Sequence, residues 1–193
     1  MLELILIRHG QTDSNRKGTY SGWTDIELNK CGISQAERVR DKLKHINFDL
    51  VVASPLKRAK KTAEIISKNI IYDEGLKEIN FGLWDNLSLE EIEEKYPEEY
   101  ELWMRDKKEE FIFPQGESIK DVQERAANVI DNIIKKQKKG IVLIVTHGGL
   151  IRNIVAHLLG MGRAGSWRFR IDNCGITKIQ ITDGYAVLTE LNG

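Results

Sequence analysis

Two short apolar runs in this chain each end at a histidine followed by a glycine. The first run, residues 2–7, leads to His9, and the second, residues 141–145, leads to His147. Such runs predict buried strands, and in open α/β sheets ligands bind at the carboxyl ends of the strands. A single histidine at a strand end is more often only hydrogen-bonded to a carbonyl group. The repeated context instead favours neighbouring strands whose imidazoles face one site.

The remainder of the chain alternates short apolar runs with amphipathic segments, which is the pattern of an α/β fold. Ser54 and Pro55 supply an N-cap and a proline at the first helical position, so a helix is predicted to begin there. The predicted strands are 2–7, 50–53, 70–72 and 141–145, with a terminal hairpin of 176–181 and 185–189. The predicted helices are 34–43, 54–68, 118–136 and 148–159, and residues 11–29 are predicted to be a loop.

One region differs in charge from the rest of the chain. Residues 88–110 hold ten acidic and four basic residues, a formal charge of −6. They predict one or two solvated helices, with Pro97 opening the second. We interpret residues 1–193 as a single domain with an inserted acidic helical lobe at about 80–116.

The overall charge excludes one broad class of function. The chain has 29 Lys and Arg residues against 29 Asp and Glu residues, a formal charge of zero. A general nucleic-acid binder usually carries a basic excess, so nucleic acid is not an expected partner, although a local anion site stays open. The two cysteines, Cys31 and Cys174, are too few for a disulfide framework. No signal peptide or membrane-length apolar run is evident, so a cytoplasmic location without a membrane partner is expected, and a homodimer is left open.

Cations and a carboxylate accompany the histidines. Arg8 adjoins His9, and Arg58 lies on the first turns of the predicted helix after the second strand, where anions are favoured. Two guanidinium groups suit bidentate recognition of phosphate oxygens. Glu78 precedes an aromatic, glycine-containing turn and could donate a proton to a leaving oxygen. From the residues alone, Arg58 could equally be a surface residue in a basic run, and Glu78 a loop acid.

In chain order, these residues resemble the sequence blocks of the histidine phosphatase superfamily, the phosphoglycerate-mutase-like proteins. The resemblance spans nearly the whole chain and implies a three-layer αβα sandwich with a mixed, mainly parallel central sheet. It also implies a covalent phosphohistidine mechanism with no metal or cofactor. The matching blocks are Arg8-His9-Gly10-Gln11-Thr12 with Asn15, Ser21-Gly22-Trp23-Thr24-Asp25, Ser54-Pro55-Leu56-Lys57-Arg58-Ala59 with Thr62-Ala63, Glu78 with Phe81-Gly82, Gly116-Glu117-Ser118, and Thr146-His147-Gly148-Gly149.

The resemblance assigns a role to each of five residues. His9 is expected to be the nucleophile, Arg8, Arg58 and His147 to hold the phosphoryl oxygens, and Glu78 to protonate the leaving alcohol and then activate water. A neutral imidazole is nucleophilic at pH 7, and cations around the transferring group stabilise it. Further residues expected to line the phosphate pocket are Asn15, Ser21, Gly22 and Gly148.

Within the superfamily, residues 20–25, 82–84, and Leu102-Trp103 with Asp106 look most like bacterial α-ribazole phosphatases. Those enzymes remove the 5′-phosphate of α-ribazole phosphate in assembly of the cobalamin lower loop. A flat benzimidazole suits an aromatic-lined mouth. The candidate residues for this mouth are Tyr20, Trp23, Phe81 and Trp84, although core packing is an equal explanation for Trp84.

Other substrates and other classes stay open. Sugar phosphatases and metal-independent phosphoserine phosphatases share much of this pattern. A phosphoglycerate mutase is less expected, because the basic residues of the acidic lobe do not reproduce the pattern that such mutases carry there. Those residues are Lys95, Arg105, Lys107 and Lys108. From a different class, a metal hydrolase lacks a ligand-like spacing here, and a non-catalytic phosphate-binding module would not need Glu78.

Overall fold

The computed structural model describes residues 1–105 and 110–193, so Asp106, Lys107 and Lys108 lie outside the described residues. Its strands are β1 (Leu2–Arg8), β2 (Leu50–Ala53), β3 (Ile71–Tyr72), β4 (Gly140–Thr146), β5 (Ile176–Thr182) and β6 (Tyr185–Glu190). Its helices are α1 (Asp13–Lys17), α2 (Lys30–Leu43), α3 (Lys57–Ile66), α4 (Leu89–Lys95), α5 (Pro97–Met104), α6 (Ile119–Lys136) and α7 (Gly148–Leu158). Short 3₁₀ helices cover Glu74–Leu76, Gly82–Trp84 and Arg163–Arg168.

Within the described residues, six strands form one sheet in the order β3-β2-β4-β1-β5-β6. The first four are mutually parallel, and β5 and β6 add an antiparallel hairpin at the side of β1. The predicted mixed, mainly parallel sheet is therefore confirmed. In the register of β1 with β4, Leu2 lies opposite Gly140 and Arg8 opposite Thr146. The two strands thus end side by side.

Helices cover both faces of this sheet. In β1, Ile5 and Ile7 pack with α2 and α3 on one face, whereas Leu4 and Leu6 pack with α6 and α7 on the other. This alternation follows from the two-residue period of a strand. The chain leaves β1 toward one face and leaves the adjacent β4 toward the other. A crevice at the shared carboxyl edge follows from this topology.

Three predicted local structures are wrong in detail. Helix α3 does not begin at Ser54 and Pro55 but at Lys57, because the Ser54 hydroxyl contacts His147 instead of capping the helix. The predicted loop 11–29 contains the short helix α1, whose N-cap Thr12 accepts a hydrogen bond from the backbone of Asn15. Helix α2 begins four residues earlier than its apolar pattern indicates. Its N-cap is Asn29, whose side chain accepts from the Gly32 amide.

The acidic lobe, residues 80–116 of the sequence prediction, contains both predicted helices, and α5 begins at Pro97. Its described residues are not only solvated, because Ile92 and Trp103 belong to a separate apolar cluster around Trp84. The acidic side chains of α4 and α5 lie on the outside of this cluster. That this region is an insertion into a single domain stays a prediction. None of the described helices has the length and apolar content needed to cross a bilayer.

Candidate active site

A cleft of about 370 Å³ opens at the carboxyl edge of β1 and β4. The amide of His9 donates to the carbonyl of Thr146 at 2.9 Å, so the sheet ladder continues into the cleft. The predicted phosphate site therefore comes together from four distant parts of the chain. The residues that line the cleft are Arg8, His9, Asn15, Thr19, Tyr20, Ser21, Gly22, Arg58, Glu78, Phe81, Gly148, Gly149, Arg152, Phe169, Arg170 and Ile171.

The imidazole of His9 has one nitrogen free for chemistry. Its Nδ1 lies 2.7 Å from the carbonyl oxygen of Gly10, which can only accept, so Nδ1 carries the proton and Nε2 the lone pair. The ring is buried, and this burial, together with Arg58 and Arg8, holds its pKa well below 6.5. The neutral, nucleophilic form therefore predominates at pH 7. The amide of Gly10 is fixed in turn by Thr62 Oγ1 at 3.1 Å.

His147 lies beside His9 with ring centroids 5.1 Å apart. Its Nε2 is 2.8 Å from Ser54 Oγ, which itself accepts a hydrogen bond from the Leu56 amide. The Ser54 hydroxyl can donate to Nε2, and we assign the imidazole proton to the buried Nδ1, which has no partner among the described residues. The pKa of His147 is held well below 6.5, chiefly by burial of the ring and to a smaller extent by the positive charge of Arg58. His147 is therefore a neutral hydrogen-bond donor.

Two arginines, the buried Arg58 and the half-buried Arg8, make the site positive. The Arg58 guanidinium donates to the carbonyl oxygens of Thr24 (3.0 Å) and Gly22 (2.7 Å), and that of Arg8 donates to Ile171 (2.7 Å). Burial lowers the pKa of both arginines from its ordinary value, but guanidinium groups stay protonated at neutral pH. Among the described residues, the Nε atoms of both have no hydrogen-bond partner. The pair can therefore still donate to an anion.

Glu78 is held by backbone amides. Its Oε1 accepts from Ile79 at 3.0 Å and its Oε2 from Gly149 at 3.2 Å. A Cβ atom at position 149 would lie only 2.5 Å from Glu78 Oε1, so glycine is required there by the carboxylate. Arg125 supports the same segment, because it donates to the Glu78 carbonyl at 3.1 Å. The acid is thus positioned from both sides.

The smaller predicted pocket residues also reach this cleft, namely Asn15, Ser21, Gly22 and Gly148. Asn15 is oriented by Asn173, whose amide donates to Asn15 Oδ1 at 3.1 Å and to the His9 carbonyl at 3.0 Å. With its oxygen used in this way, Asn15 presents its amide group as the donor. Sequence reasoning missed Asn173, which has no recognisable motif around it.

A family model described as "Histidine phosphatase superfamily (branch 1)" matches residues 4–193 of this chain. The chain belongs to the histidine phosphatase superfamily. It is a phosphoric monoester hydrolase.

The named relatives of this histidine phosphatase include phosphoserine phosphatases and alpha-ribazole phosphatases. Phosphoserine phosphatase 1 of Hydrogenobacter thermophilus is 31% identical over 196 residues, which cover 100% of this chain and 92% of that protein. The adenosylcobalamin/alpha-ribazole phosphatase of Escherichia coli is 32% identical over 197 residues, 99% of this chain and 96% of that one. The crystal structure of the alpha-ribazole phosphatase from Shigella flexneri superposes with a TM-score of 0.93 at 32% identity, covering 99% and 96%. This similarity confirms the predicted fold.

The predicted aromatic mouth of this histidine phosphatase is only partly present. Tyr20 and Phe81 line the cleft and pack edge-to-face with centroids 4.8 Å apart. Trp84 is fully buried against Trp103 and neighbouring phenylalanines, so its assignment to the mouth is wrong. Trp23 does not line the cleft, and 42% of its surface is exposed to solvent. Its Nε1 donates to the Glu78 carbonyl at 2.9 Å. Its position braces the acid instead of facing the cleft.

Two arginines of this histidine phosphatase were missed by sequence reasoning. Arg152 and Arg170 both line the cleft. Arg152 lies one helical turn after Gly148, so the helical period could have placed it on the same side of α7. Arg170 lies in an irregular segment before β5 and carries no such signal.

A metal hydrolase is the alternative class of enzyme left open by the sequence. The described residues hold no cluster of three or more His, Cys, Asp or Glu side chains suited to a metal ion.

Proposed function

We propose that this histidine phosphatase hydrolyses a small phosphomonoester through a phosphohistidine formed on His9. One observation carries the proposal: the hydrogen bond from Nδ1 to Gly10 leaves the lone pair on Nε2, inside a buried, cationic site. A histidine that served only to bind an anion would be better protonated. The combination of a neutral imidazole with two arginines favours attack on phosphorus.

In the first step, His9 Nε2 attacks phosphorus and the ester P–O bond breaks. The phosphoryl oxygens are held by Arg8, Arg58 and the Nδ1 proton of His147. Glu78 gives its proton to the departing alkoxide, so the alcohol leaves neutral. Such general acid assistance is typically worth about 10²–10⁴ in rate.

In the second step, water attacks the phosphorus of phosphohistidine. Glu78, now a carboxylate, accepts a proton from that water, and the P–N bond breaks to release phosphate. His9 regains its lone pair and Glu78 its proton, which completes the cycle. The same carboxyl group thus acts in both steps, as its fixed hydrogen bonds to Ile79 and Gly149 permit.

Two substrates are supported by different observations. α-Ribazole 5′-phosphate is supported by the relative with that activity in its name and by the aromatic edge formed by Tyr20 and Phe81. Phosphoserine is supported by the relative named for it and by the additional cation Arg152 in the cleft. Both are phosphomonoesters and both fit the same two steps.

The covalent step is tested by trapping. The protein is mixed with ³²P-labelled phosphoserine, quenched in base within milliseconds, and digested to locate the label. We expect an acid-labile, base-stable phosphoryl group on His9 and full turnover in the presence of EDTA. His9→Ala should abolish both label and turnover, whereas His45→Ala, a change at an exposed histidine, should keep both. Turnover by His9→Ala, or loss of activity with EDTA, would contradict the proposal.

A further inference from the structure

Arg152 and Arg170 line the cleft but have no part in the two steps above. Both are held in place. The guanidinium of Arg152 lies over the ring of Trp167, 5.1 Å from its centroid, and Trp167 packs on Trp103 at 5.0 Å. The segment that carries Arg170 is fixed by Asn192, which donates to the Arg170 carbonyl at 2.8 Å and accepts from the backbone two residues later at 2.9 Å.

The charges of the cleft do not balance with phosphate alone. Four guanidinium groups line it, Asp172 pairs with one of them, Glu78 carries its proton when the substrate binds in the proposed first step, and His9 and the adjacent His147 are neutral. A bound phosphomonoester brings close to two negative charges. One positive charge therefore stays uncompensated when the phosphoryl group is in place.

Arg152 is the group that carries this excess. Arg170 already pairs with Asp172, with Nε 2.8 Å from Oδ1, at an exposed position. Arg152 is half-buried, and no ion pair joins it to a carboxylate of the described residues. A partly desolvated guanidinium binds carboxylates by charge-assisted, often bidentate hydrogen bonds. At about 370 Å³, the cleft is also at the small end of ligand-binding volumes.

We propose that Arg152 binds a carboxylate on the alcohol part of the substrate, with Arg170 at the rim of the same subsite. The substrates are then phosphomonoesters of small hydroxy acids, such as O-phosphoserine, and not esters of uncharged alcohols. This assignment rests on the proposed phosphatase function and names the substrate class for it. Trp167 serves as the platform that orients the guanidinium.

The test compares O-phosphoserine with its carboxamide, in which an uncharged amide replaces the carboxylate. The quantity measured is the ratio of their kcat/KM values. Wild type should prefer the carboxylate about 10- to 100-fold, the range of one charge-assisted hydrogen bond. In Arg152→Gln the ratio should fall to about one, and Arg152→Lys should keep part of it. Arg168→Gln, at an exposed residue outside the cleft lining, is the matched control and should keep the full ratio.

Three results would overturn the subsite. The first is an equal kcat/KM for acid and amide in wild type. The second is a preference that survives in Arg152→Gln. The third is a higher kcat/KM for α-ribazole 5′-phosphate than for every carboxylated ester. In each case hydrolysis itself still occurs, whereas a wild-type protein that cleaves no monoester, p-nitrophenyl phosphate included, would overturn the proposed function instead.

Discussion

Replacing Gly149 with alanine should disable the proposed acid without unfolding the protein. The new Cβ would lie 2.5 Å from Glu78 Oε1 and 2.8 Å from Ile79 Cδ1. Ordinary contacts of this kind are more than 3 Å long, so the carboxylate must move by roughly 0.5–1 Å. A displacement of about 1 Å in a catalytic group can cost about 10² in rate.

The stability terms at this position cancel in part. Alanine in place of glycine stabilises a helix by at most about 1 kcal/mol, whereas overpacking against Ile79 costs about 1–3 kcal/mol. The net loss is about 0–2 kcal/mol, which lowers the Tm of a chain of this length by at most about 8 °C. Any large loss of activity in Gly149→Ala must therefore come from the site.

The assay compares kcat/KM for an alkyl ester, O-phosphoserine, with that for p-nitrophenyl phosphate, whose leaving group needs no proton. This parameter reports steps up to departure of the alcohol, so the shared hydrolysis of phosphohistidine does not enter. We expect a loss of about 10² for the alkyl ester and of less than about fivefold for the aryl ester. Gly160→Ala is the control, because Gly160 has a φ of +62° and open space around it, which penalises stability alone. Equal losses for both esters in Gly149→Ala would refute the acid role of Glu78.

Three further outcomes follow from burial and charge. Folding holds the pKa values of His9 and His147 well below the unfolded value near 6.5. In acid the unfolded chain therefore binds more protons than the folded protein, so the free energy of unfolding falls as the pH drops. Between pH 7.5 and pH 5.5, the free energy of unfolding measured with urea should fall by about 1 kcal/mol less in His9→Ala than in wild type. Identical losses in the two proteins would contradict a neutral His9 imidazole. Arg125→Met should lower the free energy of unfolding by about 3–5 kcal/mol, because it removes a half-buried ion pair and the hydrogen bonds to three carbonyls. A loss under about 1 kcal/mol would show that these contacts contribute little. Burial raises the pKa of the Cys174 thiol to about 12. Iodoacetamide at pH 8 should therefore modify only the exposed Cys31, which mass spectrometry can detect. Rapid labelling of both thiols in the folded protein would contradict the burial of Cys174.

Short-range patterns in the sequence predict most of the sheet, whereas the resemblance to the superfamily predicts many of the residues that line the cleft. The apolar runs before His9 and His147 specify neighbouring parallel strands, and their register brings the two rings within 5.1 Å. The start of α3 could not be predicted in this way, because the Ser54 hydroxyl is drawn to a histidine far along the chain. Arg170 and Trp84 show the same limit. Whether an arginine faces a cleft, or a tryptophan a core, is decided by elements remote in sequence.

The paired ends of β1 and β4 connect activity with folding. Shifting this ladder by one residue would turn every side chain of a strand to the opposite face and carry His9 away from His147. The paired residues Leu2 and Gly140 are 138 positions apart, so the pairing of the two strands closes a long loop, which is a slow event in folding. Regain of phosphatase activity during refolding therefore requires this long-range strand pairing. The circular dichroism of the helices, which form locally, does not.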